Sequence, residues 1–295
     1  MSDKKEKKTV DLRSMKPGSF RYIAYKVKRN PLALTGVIVI IILFILSFIS
    51  PYICKYGYAD INMKAKFMTP CADHPFGCDE LGRDTLSRIL YGAKYTMSIG
   101  IFSTAISQSL GIIIGSIAGY FGGKVDNLIM RILDVVQAFP GILLAITISA
   151  ILGAGYSKVI IAMGISGIAG AARMMRANIL SVRNSEYIEA AKSMDCSTFR
   201  IITKHIIPNA ISPMIVSIAM GIGSSGLAAS ALSFLGFGVQ PPTPEWGGML
   251  SSARAYIRDY PHLAIFPGIF IMITVLAYNL LGDCIRDAMD PKLKD

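Results

Sequence analysis

The chain has 295 residues, of which 53% are hydrophobic and 17% charged, and its mean hydropathy is +0.51. That balance excludes both a soluble globular protein and a disordered one and points to an integral membrane protein. The net charge is +11, but ten of the thirty Lys and Arg precede Asn30, so the basicity reflects membrane orientation and no nucleic-acid partner is expected.

The first thirty residues form a polar, basic arm. Lys4 to Lys8, interrupted by Glu6 and lacking aromatic residues, reads as a solvated segment in preference to an anionic-lipid contact. Six stretches free of Asp, Glu, Lys and Arg then approach the ~20 residues needed to cross a bilayer. They run from Leu32 to Cys54, Tyr95 to Phe121, Val135 to Tyr156, Val159 to Ala172, Ile206 to Val239 and Leu263 to Gly282. The predicted fold is therefore all-α with six transmembrane helices. The first apolar run starts late and is long enough to span, so it is expected to remain as a helix and not to be cleaved as a leader. In the fourth span, Arg173 and Arg176 are expected to snorkel to an interface while the helix continues to Leu180. The fifth is too long for one span, and its tail from Gly221 to Pro244 is expected to leave the helix and lie along the outer surface. The resulting layout is a cytosolic arm at 1–30, a first helix at 31–54, an external loop and amphipathic segment at 55–94, a five-helix core at 95–285 and a cytosolic tail at 286–295. With both termini cytosolic, 21 basic residues lie inside and nine outside, as the positive-inside rule favours.

Several segments carry chemistry. Cys71, Asp73, His74 and Cys78 crowd together after the first span; a Cys71 to Cys78 disulfide and two free thiols both remain open, and no metal site is assigned. Asp79 or Asp84 is placed to cap a helix that brings Leu86, Ile89 and Leu90 onto the membrane surface, with Arg83 and Arg88 near several carboxylates. Gly111, Gly115 and Gly119 repeat every four residues, a smooth stripe for close helix packing. Gly123-Lys124 is followed by Val125 where a phosphate loop needs Ser or Thr, so the chain carries no nucleotide site of its own. Arg131 and Asp134 open the third span three residues apart, as an ion pair or a substrate contact, and Pro140 should loosen that helix. Asp134 and Gln137 are thus candidate gating or path residues.

Between the fourth and fifth spans the loop 173–205 is too polar to face lipid. At helical period Tyr187, Ile188, Ala191 and Met194 share one face and Glu186, Glu189 and Ser193 the other, a short amphipathic helix capped by Asn184. Glu189-Ala190-Ala191, followed by His205-Ile-Ile-Pro208, resembles the EAA signature of permease subunits in bacterial ATP-binding-cassette importers. Where that pattern has glycine this chain has Asp195, a residue that tolerates the left-handed region and can cap the next helix. The segment from His74-Pro-Phe-Gly through Gly82-Arg-Asp84 resembles the C-type permeases of peptide and nickel importers, as do Arg131 to Pro140, Ser233 to Met249 with its single tryptophan Trp246, and Ala277 to Pro291.

The resemblance implies a type I importer fold in the bacterial plasma membrane and a non-enzymatic subunit. Glu186, Glu189, Ala190, Ala191, Asp195, His205 and Pro208 would couple it to two ATPase subunits. Asp79, Arg83, Asp84, Glu245 and Trp246 would dock an external solute-binding protein. A homologous second permease would complete the path. Di- or oligopeptides are the implied cargo, with nickel or a nickel chelate as the alternative. From another class, a stand-alone secondary transporter or channel lacks support, since no mid-membrane carboxylate chain suggests a proton relay.

Overall fold

The computed structural model describes residues 20–289. The Lys4 to Lys8 arm and the tail beyond Met289 lie outside the described residues.

Chain order builds a helical bundle. α1 (Phe20–Arg29) leads into α2 (Pro31–Ile53), where Asn30 Oδ1 accepts from the amides of Leu32 and Ala33 and Pro31 presets the first turn. α2 turns Ile38, Ile41, Ile45 and Phe48 outward and packs small residues inward. A Cβ on Gly36 would lie 2.7 Å from the Ala277 carbonyl of the last helix, so only glycine permits that approach. α3 (Thr85–Phe121) follows a loop that contains one 3₁₀ turn. Asp84 caps α3, its Oδ2 accepting from the Ser87 amide at 2.7 Å.

α3 begins ten residues before the apolar run at Tyr95, because its charged residues find partners in the folded chain and do not stop the helix. Arg88 donates to the Tyr58 carbonyl at 2.9 Å, and the Lys94 ammonium sits 3.6 Å from the Tyr91 ring centroid. At 37 residues α3 is about 55 Å long and projects beyond an apolar layer of about 30 Å. Ile89, expected on the membrane surface, is fully buried.

The third crossing is broken. α4 (Gly123–Gln137) and α5 (Gly141–Leu152) meet at 83° across Ala138 to Pro140, the position where Pro140 cannot donate an amide hydrogen to the helix. α6 (Tyr156–Val182) then runs parallel to α3, with Tyr156 against Ser98 at one end and Ile179 against Gly119 at the other. The glycine stripe seats it: a Cβ at Gly111 would meet that of Ala171 at 2.3 Å, and one at Gly115 the Ala172 carbonyl at 2.3 Å. Arg173 and Arg176 do not snorkel; they pair with α4 carboxylates. Four short elements follow: α7 (Glu186–Ser193), α8 (Thr198–Arg200), a π-helical turn (Ile201–Ile206) and α9 (Ile207–Ala210).

α10 (Ser212–Phe234) starts later than Ile206 and keeps Gly221, Gly223 and Gly226 inside the helix, contrary to the expectation that the chain departs at Gly221. Gly221 and Gly223 serve close packing there, since Cβ atoms on them would lie 3.2 Å from Thr104 Cγ2 of α3 and 3.1 Å from the Tyr278 Cβ. After a loop, α11 (Trp246–Ala253) and α12 (His262–Met289) complete the chain. Five helices are long and apolar enough to span, and the bent α4–α5 pair makes six crossings. Among the described residues there is no strand, only one antiparallel bridge between Cys78 and Asp84. The two described chain ends fall at the same end of the bundle, called here the terminal end, with α1 packed on α12; the loops 54–84 and 235–261 occupy the loop end.

Candidate functional site

The terminal end carries α7. Its N-cap is Ser185, not Asn184, and Glu186 and Glu189 lie in the first turn, where acidic groups favour the positive helix end. Ile188 is fully buried and Ala191 nearly so, in a cluster with Met175 and Ile179 of α6, Ile201 and Ile206 of the π turn and Met214 of α10. The rest of the expected apolar face is not buried. Tyr187 is exposed and Met194 is 80% exposed, with Ala190 between them and Phe199 at 78% just beyond. α7 is therefore anchored along one edge of its apolar arc and presents the other edge to solvent, flanked by Glu186 and Glu189.

Asp195 takes φ +55°, supplying the left-handed turn that glycine would supply, but the cap of α8 is Ser197, whose Oγ accepts from the Arg200 amide. His205 lies half-buried in the π turn and its carbonyl accepts from Asn209 Nδ2 at 2.6 Å. Pro208 is exposed at the start of α9; without an amide hydrogen it cannot bond back to Lys204, which fits the widened turn before it.

Asp134 does not pair with Arg131. Its Oδ1 accepts from Arg173 of α6 at 2.6 Å, an exposed pair, while Asp126 takes a two-pronged bond from Arg176, both contacts at 2.5 Å. The two arginines thus tie α4 to α6. Gln137, exposed at the end of α4, faces Gly170, where a Cβ would lie 3.9 Å from its Nε2.

At the loop end the five residues expected to dock a partner are buried. Asp79 Oδ1 accepts from the amides of Leu81 and Arg83, and its Oδ2 from Arg83 Nε at 2.7 Å, with Arg88 Nε 3.5 Å from the same oxygen. Asp84 caps α3. Glu245 caps α11, accepting from the amides of Gly247 and Gly248 at 3.0 and 2.9 Å and from the hydroxyls of Thr96 and Ser230. Burial pushes its carboxyl above the ordinary 4.5. Trp246 is fully buried, its indole Nε1 donating to the Ile89 carbonyl at 2.9 Å. These buried groups tie the loops to α3. Within the bundle, a cleft of about 750 Å³ opens between α6, α10 and α12, lined by Met174, Ser217, Met220, Ser224, Asn279 and Arg286 among others.

Residues 111–295 match the model of the binding-protein-dependent transport system inner membrane component family, and residues 19–70 match the N-terminal TM domain of oligopeptide transport permease C. The chain belongs to this permease family. It is 42% identical over 269 residues to the dipeptide transport system permease protein of Alkalihalophilus pseudofirmus, across 91% of this chain and 88% of that one. It is 44% identical to the glutathione transport system permease proteins of Pectobacterium atrosepticum, across 90% of this chain and 89% of the relative, and of Escherichia coli O157:H7, across 90% and 88%. Among solved structures it shares the fold of the MetNI methionine ABC transporter in inward-facing conformations, with TM-score 0.57 at 16% identity over 69% of this chain and 97% of that one. An amino acid ABC transporter gives 0.54 at 16% identity, over 67% and 92%.

This permease is thus a multi-pass membrane subunit of an ABC importer, with the type I importer fold. The motif residues Glu189, Ala190 and Ala191 lie on one exposed-to-buried helix, as the loop signature implied. Met194 as an exposed residue and Phe199 were missed. The signal for Phe199 was available: an aromatic side chain in a polar loop, outside the α7 apolar period, has no helix face to bury it.

Proposed function

We propose that this permease moves di- or oligopeptides into the cell, with ATPase subunits docked at its terminal end through α7. The carrying observation is the split arc of α7: Ile188 and Ala191 are sunk among α6, the π turn and α10, while Tyr187, Ala190, Met194 and Phe199 face outward. A rigid element anchored to three helices, with an unpaired apolar and acidic face, suits the transmission of a partner's closure into the spans. Glu186 and Glu189 then meet the ATPase, and Asp195 and the Pro208 turn set the angle between α7 and α10. The assembly comprises this chain, a homologous permease, two ATPase subunits binding ATP and Mg, and an external solute-binding protein, with both termini cytosolic and the loop end outside.

The 750 Å³ cleft supports a peptide cargo over nickel. Its lining is apolar with small neutral polar groups and one arginine, and among the described residues facing it there is no His, Cys or carboxylate of the kind that nickel selects. Methionines such as Met174 and Met220 adapt to side chains of different shape. Reconstitution of the permease pair with its ATPases and binding protein, followed by uptake of labelled di- to pentapeptides and of nickel, tests this. Peptide uptake that needs ATP and the binding protein is expected; nickel uptake alone would overturn the cargo assignment. Uptake without ATPase subunits would overturn the coupled mechanism.

A further inference from the structure

The loop after α2 gathers three metal-ligating side chains that the transport reading does not use. Cys78 and Asp84 are opposed in the antiparallel bridge, and residues opposed in such a bridge project to the same side. The tight turn in which the Gly77 amide donates to the His74 carbonyl at 2.9 Å folds the imidazole back onto them. One ligand atom from each of His74, Cys78 and Asp84 lies within 4.8 Å of the other two, and the three residues are 6%, 0% and 4% exposed. From these we propose that His74, Cys78 and Asp84 form a zinc-binding site that staples the loop-end segment to the start of α3.

The donor set fits that ion. An imidazole nitrogen, a thiolate sulfur and a carboxylate oxygen are the three protein ligand types of zinc, and two anionic ligands balance its charge. The supports around the donors are in place as well. Tyr56 stacks on His74 with ring centroids 4.5 Å apart, fixing the ring plane. Asp84 keeps Oδ2 on the Ser87 amide and hydroxyl, each at 2.7 Å, leaving Oδ1 directed at His74 Nδ1 at 2.9 Å. Such outer bonds orient ligands in metal sites. Tyr56 and Ser87, which touch His74 and Asp84, also line an open pocket of about 420 Å³ at the end of α2. Asp73 takes no part, since it pairs with Lys55 at the surface, and Cys71 is exposed. The site differs from the Cys71, Asp73, His74 and Cys78 group that proximity in sequence suggests. Sequence distance hides Asp84, which only the bridge brings back.

The test uses the full chain purified in detergent, stripped with chelator and reloaded with zinc or cobalt(II), then freed of loose metal. Elemental analysis should find one zinc per chain, and cobalt should give the near-ultraviolet sulfur-to-metal absorption of a thiolate ligand. Cys78→Ser and His74→Gln should each lower the bound metal at least tenfold at the same free concentration, whereas Cys71→Ser should retain it. Absence of tight zinc from the wild-type chain, or cobalt bound without the sulfur band, would overturn the site whatever the variants do. Undiminished metal in Cys78→Ser would do so as well. Neither result depends on transport, so the peptide-importer reading stands or falls separately.

Discussion

Glu245 is the residue whose assignment changes most between sequence and structure, and its replacement gives a measurable test. In Glu245→Ala the amides of Gly247 and Gly248 lose their acceptor, a cap loss of about 1–2 kcal/mol. The hydroxyls of Thr96 and Ser230 lose theirs in a dry site, adding roughly 1–2 kcal/mol. Release of a buried carboxylate returns part of this, leaving a net loss of about 2–3 kcal/mol. For a chain of this size that lowers Tm by roughly 5–10 °C, readable by thermal unfolding in detergent. Glu245→Gln keeps a carbonyl oxygen as acceptor and should recover at least half of that loss. The pH dependence separates charge from cap. Burial raises the Glu245 carboxyl above 4.5, so the folded state prefers the protonated form. Its contribution is complete below the unfolded value and is lost as pH rises through the higher folded value. Stability should therefore fall over that window in the wild type and stay flatter in Glu245→Gln. Unchanged stability of Glu245→Ala, together with weakened capture of the solute-binding protein, would refute the structural role and restore a docking one.

Other expectations follow from equally specific contacts. Glu189→Lys should leave the amount of folded permease in membranes unchanged and lower ATP-dependent uptake severalfold; normal uptake would remove α7 from the coupling path. Met194→Ala and Phe199→Ala, truncating side chains that are 80% and 78% exposed, should shift Tm by little and weaken co-purification of the ATPases. Gly115→Ala should destabilise by about 1–2 kcal/mol, because the overlap with the Ala172 carbonyl at 2.3 Å outweighs the helical preference for alanine. Gly268→Ala in α12 meets nothing within 4 Å and should gain up to about 1 kcal/mol. Asp126→Asn, which unpairs the two-pronged Arg176, should lower Tm more than Asp134→Asn at the exposed pair with Arg173.

The crossings and the short helix α7 were legible because they rest on local signals: apolar run length, a four-residue glycine repeat, and an amphipathic period held within one helix. What was not legible depends on which distant group a side chain reaches. Counting charge-free residues starts α3 at Tyr95, since nothing in the chain near Arg88 tells that carbonyls of Tyr58 and Pro242 await its guanidinium. Asp134 has Arg131 one turn away on its own helix, yet its partner comes from α6, thirty-nine positions on. Trp246 and Glu245 have the composition of an interfacial anchor and a surface acid, and only the Ile89 carbonyl and the α11 amides make them interior groups.

The same limit explains α7. Its apolar arc spans Ala190 through Tyr187 to Ile188, wider than the strip that one neighbouring surface can cover. Periodicity gives the arc, but which edge is buried is decided by the position of the π turn, and that follows from Pro208, fifteen residues beyond Ser193. An arc wider than its anchor has a second edge without a partner inside the chain. On a subunit that belongs to an importer family, that unpaired edge, bearing Tyr187, Ala190 and Met194 beside Glu186 and Glu189, is where another subunit's groove is expected. A suppressor on the ATPase that rescues Met194→Asp would locate that groove residue by residue, and rescue mapping to no ATPase position would send the search for the coupling contact elsewhere on the terminal end.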